Sequence, residues 1–225
     1  MKKQTRLPDF HELCPPEQNY IADIISLEIF FFFVGSASGF LWEVFLLYLM
    51  EGTYVNRGFF YGPWLPVYGT GAVLFHVLLA HRSLSAGSFS GASDSAAFSM
   101  RARRKMGFFY HLQRFIVLFF LSAFLGSFLE LAVGYFLDIT WGLRYWDYSG
   151  YPFHFHGYIC LWSALGFGIA GAIWIGILSG MLRRFFFHLS AKTRRNLNTI
   201  LLLLFVFDCA AALIFPNIGE GITFP

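Results

Sequence analysis

The stretch GSASGFLWE, residues 35–43, decides the fold class because it places a glutamate inside a long apolar run. A similar stretch, SAFLGSFLE, occurs at residues 122–130. In both, a small residue, a glycine and a glutamate follow at intervals of four, which places them on one face of a helix. Small residues at this spacing let membrane helices approach closely, and a carboxylate there faces a partner or a cavity. We therefore predict a duplicated unit in which Glu43 and Glu130 face each other across a pseudo-two-fold axis.

The composition is that of an integral membrane protein. Of the 225 residues, 57% are hydrophobic and 13% are charged, whereas soluble domains carry about 25% charged residues. The lipid bilayer is therefore the first partner. The net charge of +3 comes from loop Lys and Arg, which membrane topology explains better than a nucleic-acid interface. The three cysteines have no paired spacing, and neither a metal or redox motif nor a phosphate loop is present, so we predict no cofactor.

The hydropathy pattern predicts an all-α polytopic helical bundle with about five transmembrane helices. The first crossing lies within Ile21–Met50 and starts near Phe30, after an interfacial extension that holds Asp23 and Glu28. The second opens with Gly62, Pro63 and Pro66, which predicts an irregular or re-entrant first turn. The later predicted crossings are about Trp64–Ala80, Phe115–Leu137, Gly157–Leu182 and Leu197–Phe215, the last closed by Pro216.

Lys and Arg are concentrated in alternate connections, which predicts a cytoplasmic N-terminus and an outer C-terminus. The predicted segments are a cytoplasmic tail (1–28), a first membrane hairpin (29–82), a flexible cytoplasmic linker (83–107), a second hairpin (108–182), a basic cytoplasmic loop (183–196) and a fifth helix with the outer C-terminus (197–225). Two hairpins that both leave and return are parallel repeats with re-entrant outer loops.

Two alignments of the repeats stay open. Glu43 is followed by Arg57 after fourteen residues, and Glu130 is followed by Arg144 at the same interval. If Gly58 and Gly157 correspond instead, the second half carries a twelve-residue insertion. That insertion holds Trp141, Tyr145, Trp146, Asp147 and Tyr148.

Each glutamate has a structural and a functional interpretation. It pairs with a nearby group and holds its hairpin together, or it forms a polar site for a cation, a proton or a substrate amine. Asp208 is a third buried carboxylate with the same two alternatives. The candidate substrate or ion site comprises Glu43, Glu130, Arg57, Tyr61, Trp64, Arg144, Trp146, Asp147, His156 and Asp208. No metal site and no catalytic residues are predicted.

The residues from Gly39 to Glu43 and from Asn56 to Gly69 resemble the first half of the putative ABC-transporter type IV permease family of bacteria. The second signature lies in residues 145–161, with His156 where members often have Asn. The resemblance implies a multi-pass protein of the bacterial cytoplasmic membrane that acts as a permease subunit. It also implies a separate ABC-type ATPase, docking at residues 101–114 or 183–195.

Two other functions remain open. One is a non-transporting membrane scaffold or regulatory protein. The other is an intramembrane enzyme acting on lipid, with Glu43, Glu130 and His156 in acid–base roles. Small residues repeat every four positions from Ala164 to Gly180. This stripe predicts close helix packing, either against a neighbouring span or in a homo-oligomer.

Overall fold

A computed structural model describes residues 20–52, 58–80, 100–142 and 144–215, and within these ranges the chain is helical without strands. The helices are α1 (Tyr20–Glu51), α2 (Pro66–Phe75), α3 (Met100–Trp141), α4 (Leu161–Ile173), α5 (Ser179–His188) and α6 (Ala191–Ile214). A π-helical turn follows α2 at His76–Ala80, and another joins α4 to α5 at Trp174–Leu178.

Four helical stretches are long and apolar enough to cross a membrane, which confirms a multi-span helical bundle. They are Ile21–Leu49, His111–Trp141, Leu161–His188 and Ala191–Ile214. The second predicted crossing is a shorter apolar helix, Pro66–Leu79. At 1.5 Å per residue this helix is about 21 Å long, less than the roughly 30 Å hydrocarbon thickness. The prediction of five crossings is thus supported for four of them within the described residues.

The boundaries of two helices differ from the predicted spans. Helix α1 runs without interruption from Tyr20, so Asp23 and Glu28 belong to the same helix as Glu43. Helix α3 begins at Met100 and already includes the last residues of the predicted linker. Hydropathy marks only the part of a helix that lies in lipid. It does not reveal polar turns that extend the helix beyond the bilayer.

Small residues let α1 pack closely against α2, and α3 against α4, and we call these two helix pairs the hairpins. A Cβ atom at Gly39 would clash with the ring of Tyr68 on α2, and one at Gly126 would clash with Phe167 on α4. One or two turns deeper in each hairpin, Gly35 packs against Ala72, and Ser122 packs against Gly171. The GxxxE face predicted from the sequence is therefore the packing face of α1 and α3.

Aromatic side chains fill the space between the two hairpins. Phe31 is fully buried and meets the Trp174 ring edge-on, with 5.4 Å between ring centroids. The indole Nε1 of Trp174 donates a hydrogen bond of 3.0 Å to the Ala72 carbonyl. Phe75 lies in turn against Gly171. The second helices of the hairpins therefore contact each other directly.

Polar contacts tie α6 to the start of α1. Arg194 pairs with Asp23 at 3.4 Å, and the Asn198 amide donates to the Ser26 carbonyl at 2.7 Å. We call this end of the bundle the basic end, because Arg183, Arg184 and Arg194 lie near it. The opposite end carries residues 58–65 and 144–160, and we call it the loop end.

Candidate functional site

Glu43 and Glu130 each accept a hydrogen bond from a tyrosine at the loop end. The Tyr68 hydroxyl, on the first turn of α2, donates to Glu43 Oε1 at 2.5 Å. The Tyr148 hydroxyl, in the connection before α4, donates to Glu130 Oε1 at 2.9 Å. Glu130 is buried, with 6% of its surface exposed, whereas Glu43 is half-buried. A phenol is well suited to this position because it combines an apolar ring with a hydrogen-bond donor.

The two pairs form one cluster, which we call the glutamate–tyrosine cluster (Glu43, Tyr68, Glu130 and Tyr148). Burial, followed by the charge of Glu130 and the hydrogen bond to it, holds the pKa of Tyr148 far above its usual range. The charge of Glu43 raises the pKa of this phenol as well. The carboxylates of Glu43 and Glu130 also act on each other electrostatically. That the two glutamates face each other across a pseudo-two-fold axis stays a prediction.

The start of α4 closes the cluster on one side. Cys160 caps this helix, with its sulfur accepting from the Ser163 amide at 3.4 Å. The Ser163 hydroxyl faces Glu130, and it also donates to the Cys160 carbonyl at 3.0 Å. Glu130 Oε2 is buried and has no hydrogen-bond partner among the described residues. One oxygen of this carboxyl group is therefore satisfied and the other is bare.

Asp208 lies elsewhere at the loop end and has a different environment. Its carboxylate accepts from the backbone N–H of Tyr61 at 3.0 Å and of Gly62 at 2.8 Å. The Trp64 indole donates a third hydrogen bond at 2.6 Å. With three donors on one carboxylate, Asp208 fixes the irregular segment before α2 against α6. These contacts fit an anchor for the segment, and Tyr61 adds a bond of 2.8 Å to the Phe215 carbonyl.

A third group surrounds Arg144 at the surface of the loop end. Arg144 Nε bonds to Asp138 at 3.0 Å, and its guanidinium lies 4.6 Å from the centre of the Tyr158 ring. The Tyr158 hydroxyl donates to the same Asp138 oxygen at 2.5 Å. The hydrogen bond to Asp138 raises the pKa of Arg144, so this side chain stays charged. Arg144 is therefore held by its own neighbours, with Asp147 at 3.9 Å.

The rest of the connection 144–160 orders this surface. The Asp147 carboxylate accepts from the Ser149 hydroxyl at 2.5 Å and from its backbone amide at 2.9 Å, and these bonds lower the pKa of Asp147. Trp146 Nε1 donates to the Tyr158 carbonyl at 2.8 Å. His156 is exposed and has a positive φ of 49°. Such a φ is uncommon for a residue other than glycine and marks a tight turn before Gly157.

The predicted site residues thus divide among three places. Glu43 and Glu130 share the cluster, Tyr61 and Trp64 meet at Asp208, and Trp146 and Asp147 belong with Arg144. His156 lies exposed on the turn beyond this third group, and Arg57 lies outside the described residues. The nine candidates that the structure describes therefore do not make up a single continuous site.

Sequence reasoning overlooked a fourth polar pair, nearer the basic end. The His76 Nδ1 atom lies 2.6 Å from Glu28 Oε1, at the point where α2 changes to a π-helical turn. The sequence placed Glu28 in an interfacial extension. Glu28, Ser36 and Glu43 follow each other at intervals of about two helical turns, which places all three on one face of α1. This spacing is the sequence signal that could have revealed the pair.

The chain matches a known protein family. A family model described as putative ABC-transporter type IV matches residues 30–213. No curated protein and no solved structure matches the chain. The matched range includes both glutamates, their tyrosine partners and Asp208.

Proposed function

Since the chain belongs to the putative ABC-transporter type IV family, we propose that it is a permease subunit of a membrane transporter that works with a separate ATPase. The observation that carries this proposal is the glutamate–tyrosine cluster. A carboxylate pair within membrane-spanning helices costs free energy, and such residues mark substrate or ion pathways. In this proposal the cluster is the polar site on the pathway, with Glu43 and Glu130 as its charged groups.

We also propose that the two hairpins are parallel repeats. Four matched contacts support this: Gly39 on Tyr68 resembles Gly126 on Phe167, and Gly35 on Ala72 resembles Ser122 on Gly171. Both second helices also pass into a π-helical turn at a similar depth. In many transporters such repeats enclose the substrate site at their interface.

The matched contacts favour one of the two repeat alignments. Gly39 and Gly126 are 87 positions apart, whereas Tyr68 and Phe167 are 99 apart. The difference of twelve is the insertion that the Gly58–Gly157 alignment requires. Phe167 has no hydroxyl, so the phenol that Tyr68 gives to Glu43 has no counterpart at this position. Tyr148, from the insertion, supplies a phenol to Glu130 instead.

Contacts across the hairpin boundary are reciprocal, as a two-fold axis requires. Trp174 bonds to the Ala72 carbonyl, and Phe75 lies against Gly171. Under the same alignment Phe75 corresponds to Trp174, and Ala72 to Gly171. Tyr68 and Phe167 also meet each other, with ring centroids 6.4 Å apart. These pairs support an axis that passes between α2 and α4, beside the cluster.

The orientation follows from the distribution of Lys and Arg. In this proposal the basic end faces the cytoplasm and the loop end faces outward, with the N-terminus cytoplasmic. The ATPase then docks at the basic end, against residues 101–114 or 183–195. The sequence contains no phosphate loop of its own, so ATP hydrolysis requires that partner.

Purification from the native membrane in mild detergent tests the proposal. We expect a phosphate-loop ATPase to co-purify in stoichiometric amount, and its ATP hydrolysis in lipid to change when Glu43→Gln and Glu130→Gln are combined. Asp147→Asn is the matched control, because this carboxylate is exposed at the same end. Absence of any ATPase, under conditions that preserve a known transporter complex, would instead favour a non-transporting scaffold.

A further inference from the structure

Glu130 is the carboxyl group whose surroundings are least compatible with a negative charge. Only 6% of its surface is exposed, and Oε1 accepts a hydrogen bond from Tyr148. Oε2 is closed to a water-sized molecule and has no partner among the described residues. A buried polar atom without a partner is costly, and an ionised oxygen in that state is more costly still.

Among the described residues, the groups around Glu130 do not supply a compensating cation. Facing it are Tyr148 from the connection, Glu43 from α1, Tyr68 from α2, and Ser163 at the start of α4. All of these are acidic or neutral. Arg144, the cation in the same connection, is bound to Asp138 and Tyr158. A second negative charge on Glu43 makes an ionised Glu130 less favourable, because like charges in a poorly hydrated site repel strongly.

A proton is the ligand that fits this position. It neutralises the carboxyl group and turns the bare Oε2 into a hydroxyl, while Oε1 keeps its bond from Tyr148. It also needs no additional space, whereas a metal ion or an ammonium group must touch an oxygen that the packing has closed. Intramembrane carboxyl groups of this kind serve as proton carriers in pumps and transporters.

We propose that Glu130 holds a proton on Oε2 and that the glutamate–tyrosine cluster is a proton-exchange site. The half-buried Glu43 receives a proton from water at the loop end and passes it to Glu130. Glu43 thereby returns to the carboxylate, and Glu130 becomes the neutral acid. The inference rests on the proposed function in that the proton is the ion which the permease handles at this site.

The asymmetry of the two hairpins gives the two glutamates different roles. Glu43 bonds to a tyrosine of its own hairpin helix and remains partly open, whereas Glu130 is covered by the insertion and by the start of α4. The more open carboxyl group exchanges with water, and the closed one stores the proton. Two identical sites would not distinguish an exchanging carboxyl group from a storing one.

Infrared difference spectroscopy of the purified protein in lipid nanodiscs tests the proposal. We expect wild type at neutral pH to show the C=O stretch of a protonated carboxylic acid, which shifts in D₂O. This band should disappear in Glu130→Gln and persist in both Glu43→Gln and Asp147→Asn. Gln keeps an oxygen for Tyr148, so the variant is expected to fold.

Two results would overturn the proposal. One is that Glu130→Gln removes a carboxylate band and leaves the acid bands unchanged, which would mean that Glu130 is ionised. The other is a carboxylate band of Glu130 that shifts with added Na⁺, K⁺ or methylammonium, since the site would then bind a cation. If Glu130→Gln fails to fold, the wild type is titrated instead, and raising the pH should convert the acid band to a carboxylate band. Absence of the acid band at every pH would also overturn the proposal.

The spectrum is independent of transport. An acid band that depends on Glu130, found in a protein without an ATPase partner, would support the proton site and refute the permease. An ATPase partner without that band would support the permease and refute the proton site.

Discussion

Replacing Asp208 by alanine should detach the segment before α2 from α6. The carboxylate accepts two backbone amides, from Tyr61 and Gly62, and the Trp64 indole, at 3.0, 2.8 and 2.6 Å. Hydrogen bonds between side chains in membrane proteins contribute about 0.6 kcal/mol on average and about 1.7 at most. If the two bonds from backbone amides contribute as much as the one from the Trp64 side chain, the three together give an expected loss of about 2–5 kcal/mol in the free energy of unfolding.

Equilibrium unfolding of the Asp208→Ala variant in mixed micelles measures this loss. Phe207→Ala is the matched control, because Phe207 is the preceding residue and is 75% exposed on α6. Hydrogen exchange at the Tyr61 and Gly62 amides should rise in Asp208→Ala and stay unchanged in the control. A destabilisation below about 1 kcal/mol, together with unchanged exchange at both amides, would refute the anchoring role.

Two further predictions concern packing and pH. Gly39→Ala should lower the free energy of unfolding by about 1–3 kcal/mol, because the added methyl group overpacks against Tyr68. Gly166→Ala is the control and should be neutral, since the space around Gly166 is open. Equal effects of the two substitutions in thermal unfolding would contradict the packing. Because the Ser149 hydrogen bonds lower the pKa of Asp147, the carboxyl carbon NMR signal should titrate below the usual value near 3.9. The contribution of this turn is then present above that value and is lost as pH falls through the lowered pKa; an ordinary midpoint would contradict it.

Hydropathy was sufficient to predict most of the fold, because crossing a bilayer demands long apolar helices. It predicted a second crossing at about Trp64–Ala80, where the structure has the shorter apolar helix Pro66–Leu79. It also missed the start of α3 at Met100, since basic residues can form helix outside lipid. The length of a helix and its hydrophobicity are different properties, and only the hydrophobicity can be read directly from the sequence.

The site was partly predictable for a similar reason. The spacing that repeats around Glu43 and Glu130 indicated two related carboxylates on helix-packing faces. The phenols that meet them, Tyr68 and Tyr148, stand 25 and 18 positions away in the chain. Spacing within one helix cannot reveal such partners, because they depend on how the connections return to the bundle.

The partners of Asp208 could not be predicted from the sequence either. Its place in an apolar run predicted that it faces the bundle interior. Two of its three partners are backbone amides, of Tyr61 and Gly62, and a backbone amide has no signature in the sequence. The Glu28–His76 pair was missed because α1 was expected to start its crossing after Glu28.

The account depends most on the claim that Glu43 and Glu130 form one site. A double-mutant cycle with Glu43→Gln and Glu130→Gln, read by equilibrium unfolding in lipid, tests this directly. Two residues of one hydrogen-bonded cluster should give a coupling free energy of about 0.5–3 kcal/mol, because each substitution changes the surroundings of the other. Effects that add to within about 0.3 kcal/mol would mean that the glutamates act separately, and would contradict the account.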